Sequence, residues 1–344
     1  MQYRLVTRPH MNTSAIIGNS AFTKLESEWD ALLSQSMTDT PFQKLAYQKA
    51  WWGSLQPSGS ELVTFVTRSD DGNLLGIGCF FLIEGALHLN GCVEETDYLD
   101  LISSADNAPA VWQATLECLK NSPSLSWQTI DLCNIPEESP TREILPRLAD
   151  GFGWRYDESI IEVCPTVYLP ESFEAYLELL DPRQRRELSR KLRRAEGSET
   201  LTALINRSTD IDADVDSFLD LLQKSTFEKR DWLNDGRRAL FHEVARSAQE
   251  GGYLQLMFTE IEGRRAAGLF NFDYNGRIWV YNSGLDPAIF SALSPGVVLT
   301  AKAIEEAIRL GRTEFDFLRG SEEYKYRFGA VDTNIFKIRI EKAT

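Results

Sequence analysis

The sequence predicts an α+β fold made of two copies of one domain, and three observations carry this prediction. Both halves contain short β-rich segments separated by glycine turns, which is typical of antiparallel hairpins. The turn glycines Gly72 and Gly263 are 191 positions apart, and the next pair of turn glycines keeps that offset. A strand containing Asp131 also matches a later strand containing Asp316. Such paired landmarks indicate an internal duplication.

Length and composition agree with two domains. A chain of 344 residues exceeds one ordinary core, and 43% hydrophobic residues are enough to fill two. We expect the domains at 1–170 and 171–344, each with a mixed, mainly antiparallel sheet flanked by helices.

Charge and cysteine content exclude several classes of function. The formal net charge of −15 disfavours DNA or an anionic lipid surface as a partner of the whole chain. Five widely spaced cysteines without a CxxC pattern predict reduced thiols in a cytoplasmic protein, with no disulfide framework and no metal site. No apolar run reaches the length of a transmembrane helix.

Periodicity and turn residues assign the elements of the first half. Helices are predicted at 22–33, 45–55, 108–120 and 141–149. Strands are predicted within 3–18 and at 62–67, 73–83, 86–90, 97–102, 127–133, 153–159 and 161–169.

The second half repeats this order after a helical opening. Its predicted helices are 172–180, 183–195, 212–230, 236–250 and one that starts at Pro295. Its predicted strands are 200–205, 253–259, 265–274, 277–281, 314–318 and 334–341.

The helix that starts at Pro295 has the features of an anion site. Proline suits the first helical position, and Ser294 is a good N-cap. A glycine follows, so unpaired N–H groups and the positive end of the helix dipole meet at one point. An anion such as a pyrophosphate can dock there. An ordinary capped helix without a ligand is the alternative.

Two segments carry a resemblance to a known family. Ser294-Pro-Gly-Val-Val-Leu and, after one helix, Glu314-Phe-Asp-Phe-Leu-Arg-Gly-Ser-Glu-Glu-Tyr-Lys-Tyr-Arg-Phe-Gly329 resemble the BioF2-like acetyltransferases. These are proteins of the GNAT superfamily that include the CelD/BcsL group linked with bacterial cellulose synthesis. The layout is also similar to that of the tandem-GNAT Fem aminoacyltransferases.

The resemblance implies two GNAT-like domains with an acyl-CoA, such as acetyl-CoA, bound as co-substrate in the second. The donor-binding residues would be Asn282, Ser283 and Gly284 on a splayed strand and Ser294, Gly296, Val297 and Val298 at the helix start. The usual loop with several glycines is replaced by a loop with one glycine. This departure predicts that fewer backbone amides can bind the phosphates of the donor.

Acyl transfer requires a base, a polarised carbonyl and stabilisation of the departing thiolate. None of the three histidines is suitably placed in the sequence. The candidate catalytic residues are Asp316, on a buried strand where it would act as a base, and Glu322, Tyr324 and Lys325 in the loop that follows it. Tyr324 would protonate the thiolate, and Lys325 would hold a phosphate or a substrate carboxylate. For each of them a structural or solvated role is the alternative.

Candidate substrate-binding residues lie elsewhere. The predicted helix 183–195 and its flanks have a net charge of +5, and its Arg186 and Arg190 are free to meet phosphate. Trp232 offers a stacking surface, and Asp97 lies in the segment of the first half that carries the resemblance. Core packing and solvated ion pairs are the alternatives.

These features predict an acyltransferase that moves an acyl group from acyl-CoA to an amine or hydroxyl of a small molecule, glycan or peptide, such as a precursor of a cell-surface polysaccharide. Two alternatives stay open. One is a Fem-like transferase that uses aminoacyl-tRNA, which the net charge disfavours. The other is a non-catalytic scaffold on a degenerate GNAT pair.

Overall fold

The computed structural model describes residues 11–92, 95–198, 200–205 and 208–342. The chain forms two compact units, and the division falls between residues 161 and 162. Residues from Asn334 onward belong to the first unit, although the sequence prediction gave them to the second half. The part of the predicted strand within 3–18 that precedes residue 11 lies outside the described residues.

The first unit begins with a strand, continues with helices and then forms hairpin strands. Its helices are α1 (Ser20–Lys24), α2 (Trp29–Leu33), a 3-10 helix (Pro41–Gln43), α3 (Leu45–Leu55), α4 (Ala108–Lys120) and α5 (Thr141–Phe152). Its strands are β1 (Met11–Ile17), β2 (Glu61–Ser69), β3 (Leu74–Ile83), β4 (Ala86–Leu89), β5 (Thr129–Pro136) and the first part of β6 (Arg155–Tyr168).

The second unit repeats this succession. Its helices are α6 (Phe173–Leu179), α7 (Pro182–Glu196), α8 (Ile211–Ser225), α9 (Phe227–Trp232), α10 (Asp235–Glu250), a 3-10 helix (Ser291–Leu293), α11 (Pro295–Arg309) and α12 (Glu323–Tyr326). Its strands, after the end of β6, are β7 (Thr200–Ile205), β8 (Leu254–Ile261), β9 (Arg264–Tyr274), β10 (Arg277–Leu285), β11 (Glu314–Asp316) and the start of β12 (Val331–Glu341).

Each unit has a mainly antiparallel run of strands with one parallel pair. The order in the first unit is β1-β2-β3-β4-β5-β12, where β4 and β5 are parallel. The order in the second unit is β6-β11-β10-β9-β8-β7, where β10 and β11 are parallel. In both units the parallel strands are joined through a helix, α4 or α11, as a parallel connection requires.

The predicted hairpin turns are present in both units. At the turn between β9 and β10, Asn275 and Gly276 have φ angles of 52° and 73°, and Glu84 and Gly85 have 49° and 78° between β3 and β4. Two successive positive φ angles are typical of the tight turns that match strand twist. Glycine at the second position avoids the steric cost of this conformation.

Helix α11 packs its apolar side into the core of the second unit. Ala301, Ile304 and Ile308 are buried there, together with Leu188 and Leu192 of α7. The core of the first unit contains large aromatic side chains from α4 and the strands beside it. The apolar periodicity that predicted an amphipathic helix at 295–309 therefore matches the structure.

Two sequence predictions about the first unit are wrong. Cys92 and Cys133 form a disulfide. Cys92 follows β4 and Cys133 lies on β5, the strand that pairs with β4. The spacing of the cysteines in the sequence does not reveal this proximity. Cys79, Cys118 and Cys164 form no disulfide within the described part of the chain. Segment 97–102 was predicted as a strand, but it has only one bridge, between Ile102 and Ile77.

Within the described ranges, no helix combines the length and the apolar character needed to cross a bilayer. The same residues contain no group of three or more histidine, cysteine, aspartate or glutamate side chains arranged to hold a metal ion.

Candidate acyl-donor site

Strands β10 and β11 pair over three residues only and then separate. The pairing runs from Arg277 with Glu314 to Trp279 with Asp316, whereas β10 continues to Leu285. The register between β10 and β9 also shifts at Tyr281, which marks a β-bulge. The end of β10 therefore has backbone groups on the β11 side that the parallel ladder does not use. This is the splayed strand that the sequence predicts at Asn282, Ser283 and Gly284.

The start of α11 has no side-chain cap and no acid in its first turn. Ser294 occupies the N-cap position, but its side chain makes no capping hydrogen bond, and the first turn contains no acidic residue. The first amides of a helix have no partner within the helix. The amides of Gly296 and Val297 therefore lie at the positive end of the helix dipole. Val298 is already bonded to the Ser294 carbonyl, at 3.1 Å.

The loop before α11 adopts a strained backbone without extra glycines. Phe290 and Ser294 have φ angles of 52° and 54°, in the left-handed region that non-glycine residues rarely occupy. The Arg194 guanidinium donates to the Ala292 carbonyl at 2.9 Å and ties this loop to α7. The single-glycine loop thus places two non-glycine residues in the left-handed region, and the strain is concentrated beside the helix start.

The two glycines predicted to bind the donor have different environments. A Cβ atom added at Gly296 meets only Leu285, at an ordinary distance of 3.5 Å, so nothing in the protein itself requires glycine there. A Cβ atom added at Gly284 lies 2.5 Å from the Leu222 backbone nitrogen. Gly284 is therefore required for the packing of β10 against α8, whereas Gly296 leaves open space at the helix start.

Gly284→Ala will destabilise the protein by about 1–3 kcal/mol, because the added methyl group meets the backbone of α8 rather than a movable side chain. Urea denaturation of the full chain measures this loss. Gly296→Ala is the matched control, and its unfolding free energy should change by less than about 1 kcal/mol. Equal losses in both variants would contradict the packing role of Gly284.

Lys229 of α9 lies against the end of β10, and sequence reasoning did not select it. Its Nζ donates to the Ser283 carbonyl at 2.6 Å and to Asn282 Oδ1 at 3.1 Å. Burial lowers the pKa of this lysine to about 8, an effect that Glu322 opposes and Lys325 reinforces. Lys229 is one of 36 basic residues, and only the structure shows its position.

Tyr324 of α12 reaches the same strand end, where its hydroxyl group hydrogen-bonds with the Ser283 side chain. Loss of hydration, together with the nearby Glu322 carboxylate, raises the pKa of Tyr324 to about 12. An ordinary thiol has a pKa near 8.5, so proton transfer from this phenol to a thiolate is unfavourable. Tyr324 is thus suited to donate a hydrogen bond to a departing sulfur, rather than to protonate it as the sequence analysis proposed.

Lys325 is a structural residue, and the prediction that it binds a phosphate or carboxylate is wrong. Its ammonium is buried and bonds to the carbonyls of Leu318, Arg319 and Gly320 at 2.8–3.1 Å. It also pairs with Glu322 at 2.9 Å. An ammonium has three N–H donors, so these four oxygens already saturate it.

Asp316 and Glu322 differ in access. Asp316 is buried at the end of β11, and its Oδ1 accepts a hydrogen bond from the Leu318 amide at 2.7 Å. Leu318 has a φ angle of 58°, so this contact stabilises a left-handed turn and gives Asp316 a structural role. The Glu322 side chain is 58% exposed and influences the pKa of both Lys229 and Tyr324. It is the carboxylate that a substrate can reach.

The predicted substrate residues are dispersed. Arg186 and Arg190 lie on the exposed side of α7, and Arg190 pairs with Glu187. Trp232 is half-buried, with Arg237 over its ring at 4.7 Å. Asp97 is only 7% exposed, so it has little surface for a substrate, and its predicted binding role is not supported.

In the part of the first unit that the structure describes, there is no open equivalent of this strand end. Its parallel pair, β4 and β5, is followed on the β4 side by residues 95–103, which are all buried. Leu99 donates to the Asn134 carbonyl at 2.9 Å, and Asn134 donates to the Thr96 carbonyl at 2.6 Å. This segment fills the position that a donor would need beside β5. The described donor geometry is therefore confined to the second unit.

A family model matches this part of the chain. Residues 182–326 match the acetyltransferase (GNAT) domain. The chain has a GNAT-type fold. The match confirms the predicted fold class, and it supports a transferase enzyme, as the sequence analysis expected. A search of curated proteins found no sequence match.

Solved structures share the fold over nearly the whole chain. FemX is 12% identical, with a TM-score of 0.64 over 90% of this chain and 95% of FemX. L-PGS from Bacillus licheniformis is 12% identical, with a TM-score of 0.57 over 91% of this chain and 90% of its own. A tandem GNAT protein from the clavulanic acid biosynthesis pathway is 12% identical, with a TM-score of 0.50 over 97% and 100%. At such identities the likeness concerns the fold alone.

Proposed function

We propose that the chain is an acyltransferase that takes an acyl group, such as acetyl, from acyl-CoA bound in the second unit. One observation carries the proposal: the start of α11 is uncapped, lacks acids and has open space at Gly296, next to a splayed strand end. The amides of Gly296 and Val297 would hold the pyrophosphate, as helix N-termini do for anions. The end of β10, beyond the point where its ladder with β11 stops, would hold the acyl and pantetheine end.

Different residues of the chain can then carry out the separate parts of the reaction. The Glu322 carboxylate accepts the proton of the attacking amine or hydroxyl group. Tyr324, which stays protonated at neutral pH because its pKa is about 12, donates a hydrogen bond to the departing sulfur. Lys229 holds Asn282 and the Ser283 carbonyl in place and so orients the strand end. Asp316 and Lys325 support the loop that carries Glu322 and Tyr324.

The acceptor in this proposal is an amine or hydroxyl on a small molecule, glycan or peptide. The exposed arginines of α7, including Arg186 and Arg190, favour an acceptor with anionic groups. A precursor of a cell-surface polysaccharide, as in the BioF2-like and CelD group, has this character.

Tyr324→Phe tests the proposed chemistry. We expect kcat to fall about 10–100-fold while binding of acetyl-CoA is retained, because the hydroxyl acts on the departing sulfur rather than on the phosphates. Release of CoA thiol from acetyl-CoA is measured with a panel of amino sugars, amino acids and short peptides. Tyr326→Phe, whose hydroxyl bonds to Asp332 at 2.8 Å outside the site, is the matched control. Equal rates in the two variants would count against the role of Tyr324.

An aminoacyl-tRNA-dependent transferase is the second candidate, and the arginine row of α7 favours it. Arg183, Arg185, Arg186 and Arg193 are exposed on this helix. Such a row would bind an RNA backbone with a steep dependence on salt. Filter binding of bulk tRNA between low and moderate salt separates the candidates: we expect no saturable binding at moderate salt, whereas acetyl-CoA still binds.

A further inference from the structure

We propose that Lys229 is itself acetylated by acetyl-CoA bound at the candidate donor site. The inference rests on the proposed function, because it requires that donor. It concerns a modification of the protein rather than the transfer to an acceptor.

The geometry places the amine on the strand that would hold the thioester. Lys229 Nζ lies 2.6 Å from the Ser283 carbonyl and 3.1 Å from Asn282 Oδ1, and both belong to the open end of β10. The lysine projects from α9, a helix of six residues whose N-cap Thr226 bonds to the Lys229 amide at 3.2 Å. The ammonium is thus held at the strand end rather than free in solvent.

The environment also makes this amine a nucleophile. Burial lowers the pKa of Lys229 to about 8. Two charged groups face this lysine: Glu322 raises its pKa and Lys325 lowers it. Tyr324 is the other titratable group beside Ser283. At pH 8 about half of Lys229 is neutral, roughly a hundredfold more than for an ordinary lysine. The neutral fraction, and with it the acetylation rate, should rise with pH, reach half of its maximum near the pKa of about 8 and level off roughly one pH unit higher.

The proposed step is balanced without a further reactant. The ammonium first loses a proton to water, and the neutral nitrogen attacks the carbonyl carbon of the acetyl thioester. A C–N bond forms, the C–S bond breaks, and the sulfur leaves with the electron pair as CoA thiolate. The second nitrogen proton passes to water. The product amide retains one N–H, so it cannot donate to both Ser283 and Asn282.

Peptide mapping by mass spectrometry tests the inference directly. The full chain is incubated with acetyl-CoA, and acetyl occupancy is compared at Lys229, at Lys325 and at Lys224, whose side chain is 54% exposed. We expect Lys229 to be acetylated first, and we expect an excess of free CoA to slow acetylation at Lys229 but not at Lys224. Acetic anhydride, which needs no binding site, should modify both lysines at rates that free CoA does not change.

Three results would overturn the inference. These are equal rates at Lys224 and Lys229, acetylation of Lys229 that free CoA does not slow, and no acetylation of Lys229 although calorimetry shows that acetyl-CoA binds. Absence of acetyl-CoA binding would instead contradict the proposed function itself. The Lys229→Arg variant verifies the assignment of the peptide, since the acetylated form of that peptide must be absent from its digest.

Discussion

Gly296→Asp is expected to weaken acetyl-CoA binding by about 100-fold or more while the protein stays folded. The carboxylate would lie in the open space at the start of α11 and repel a pyrophosphate there. The same charge interacts favourably with the positive end of the helix dipole, so the unfolding free energy should be unchanged or higher by about 0.3–1 kcal/mol. Calorimetric titration measures the binding, and urea denaturation measures the stability.

Gly296→Asn is the matched control because it has the shape of aspartate without the charge. We expect asparagine to weaken binding far less than aspartate does. Equal loss in the two variants would show that side-chain volume, and not charge, blocks the site. Full binding by the aspartate variant would contradict a pyrophosphate at this helix start.

Lys325→Met is expected to lower the free energy of unfolding by about 3–5 kcal/mol. The substitution removes the ammonium that satisfies three backbone carbonyls and leaves those oxygens without their charged partner in a buried place. Denaturation of the full chain, followed by tryptophan fluorescence, measures this loss. Activity should fall as well, because the loop carries Glu322 and Tyr324.

The control for this prediction is Glu322→Gln. Glu322 is the exposed partner of Lys325, and exposed ion pairs contribute little to stability, so we expect a loss below about 1 kcal/mol. Its effect on acyl transfer should be large, since the proposed base is lost. A stable Lys325→Met variant would show that the carbonyls find other partners.

The repeat and the main elements could be predicted because they depend on local patterns. Glycine turns such as Gly263 and Gly276 fix the hairpins, and the apolar stripe on α11 fixes the face that packs on the strands. Element ends were less accurate. The predicted helix at 212–230 is two helices, α8 and α9, since Thr226 adopts an extended conformation and caps the second one.

Roles that depend on distant contacts could not be predicted from local sequence. Lys325 looked like a charged residue in a solvated loop, but the chain folds three carbonyls around it. Lys229 looked ordinary, but α9 brings it to β10 across more than fifty residues of sequence. The packing need for Gly284 likewise arises from the backbone of α8, which no motif at positions 281–284 reveals.

The sequence also does not show that residues 95–103 fill the place of an open strand end in the first unit. The repeat suggested two similar domains, and Asp97 was assigned to substrate binding. The apolar residues Leu99 and Leu101 beside it allow the segment to be buried, and the bonds to Asn134 fix it there. Duplication of the fold therefore did not duplicate the open strand end.

Calorimetric titration of the full chain with acetyl-CoA, at fixed moderate salt, tests the central claim most directly. We predict saturable binding in the micromolar range with one donor per chain, because among the described residues only those of the second unit combine the open helix start and the splayed strand. No binding would contradict a donor site at α11. Two donors per chain would contradict the conclusion that residues 95–103 fill the first unit.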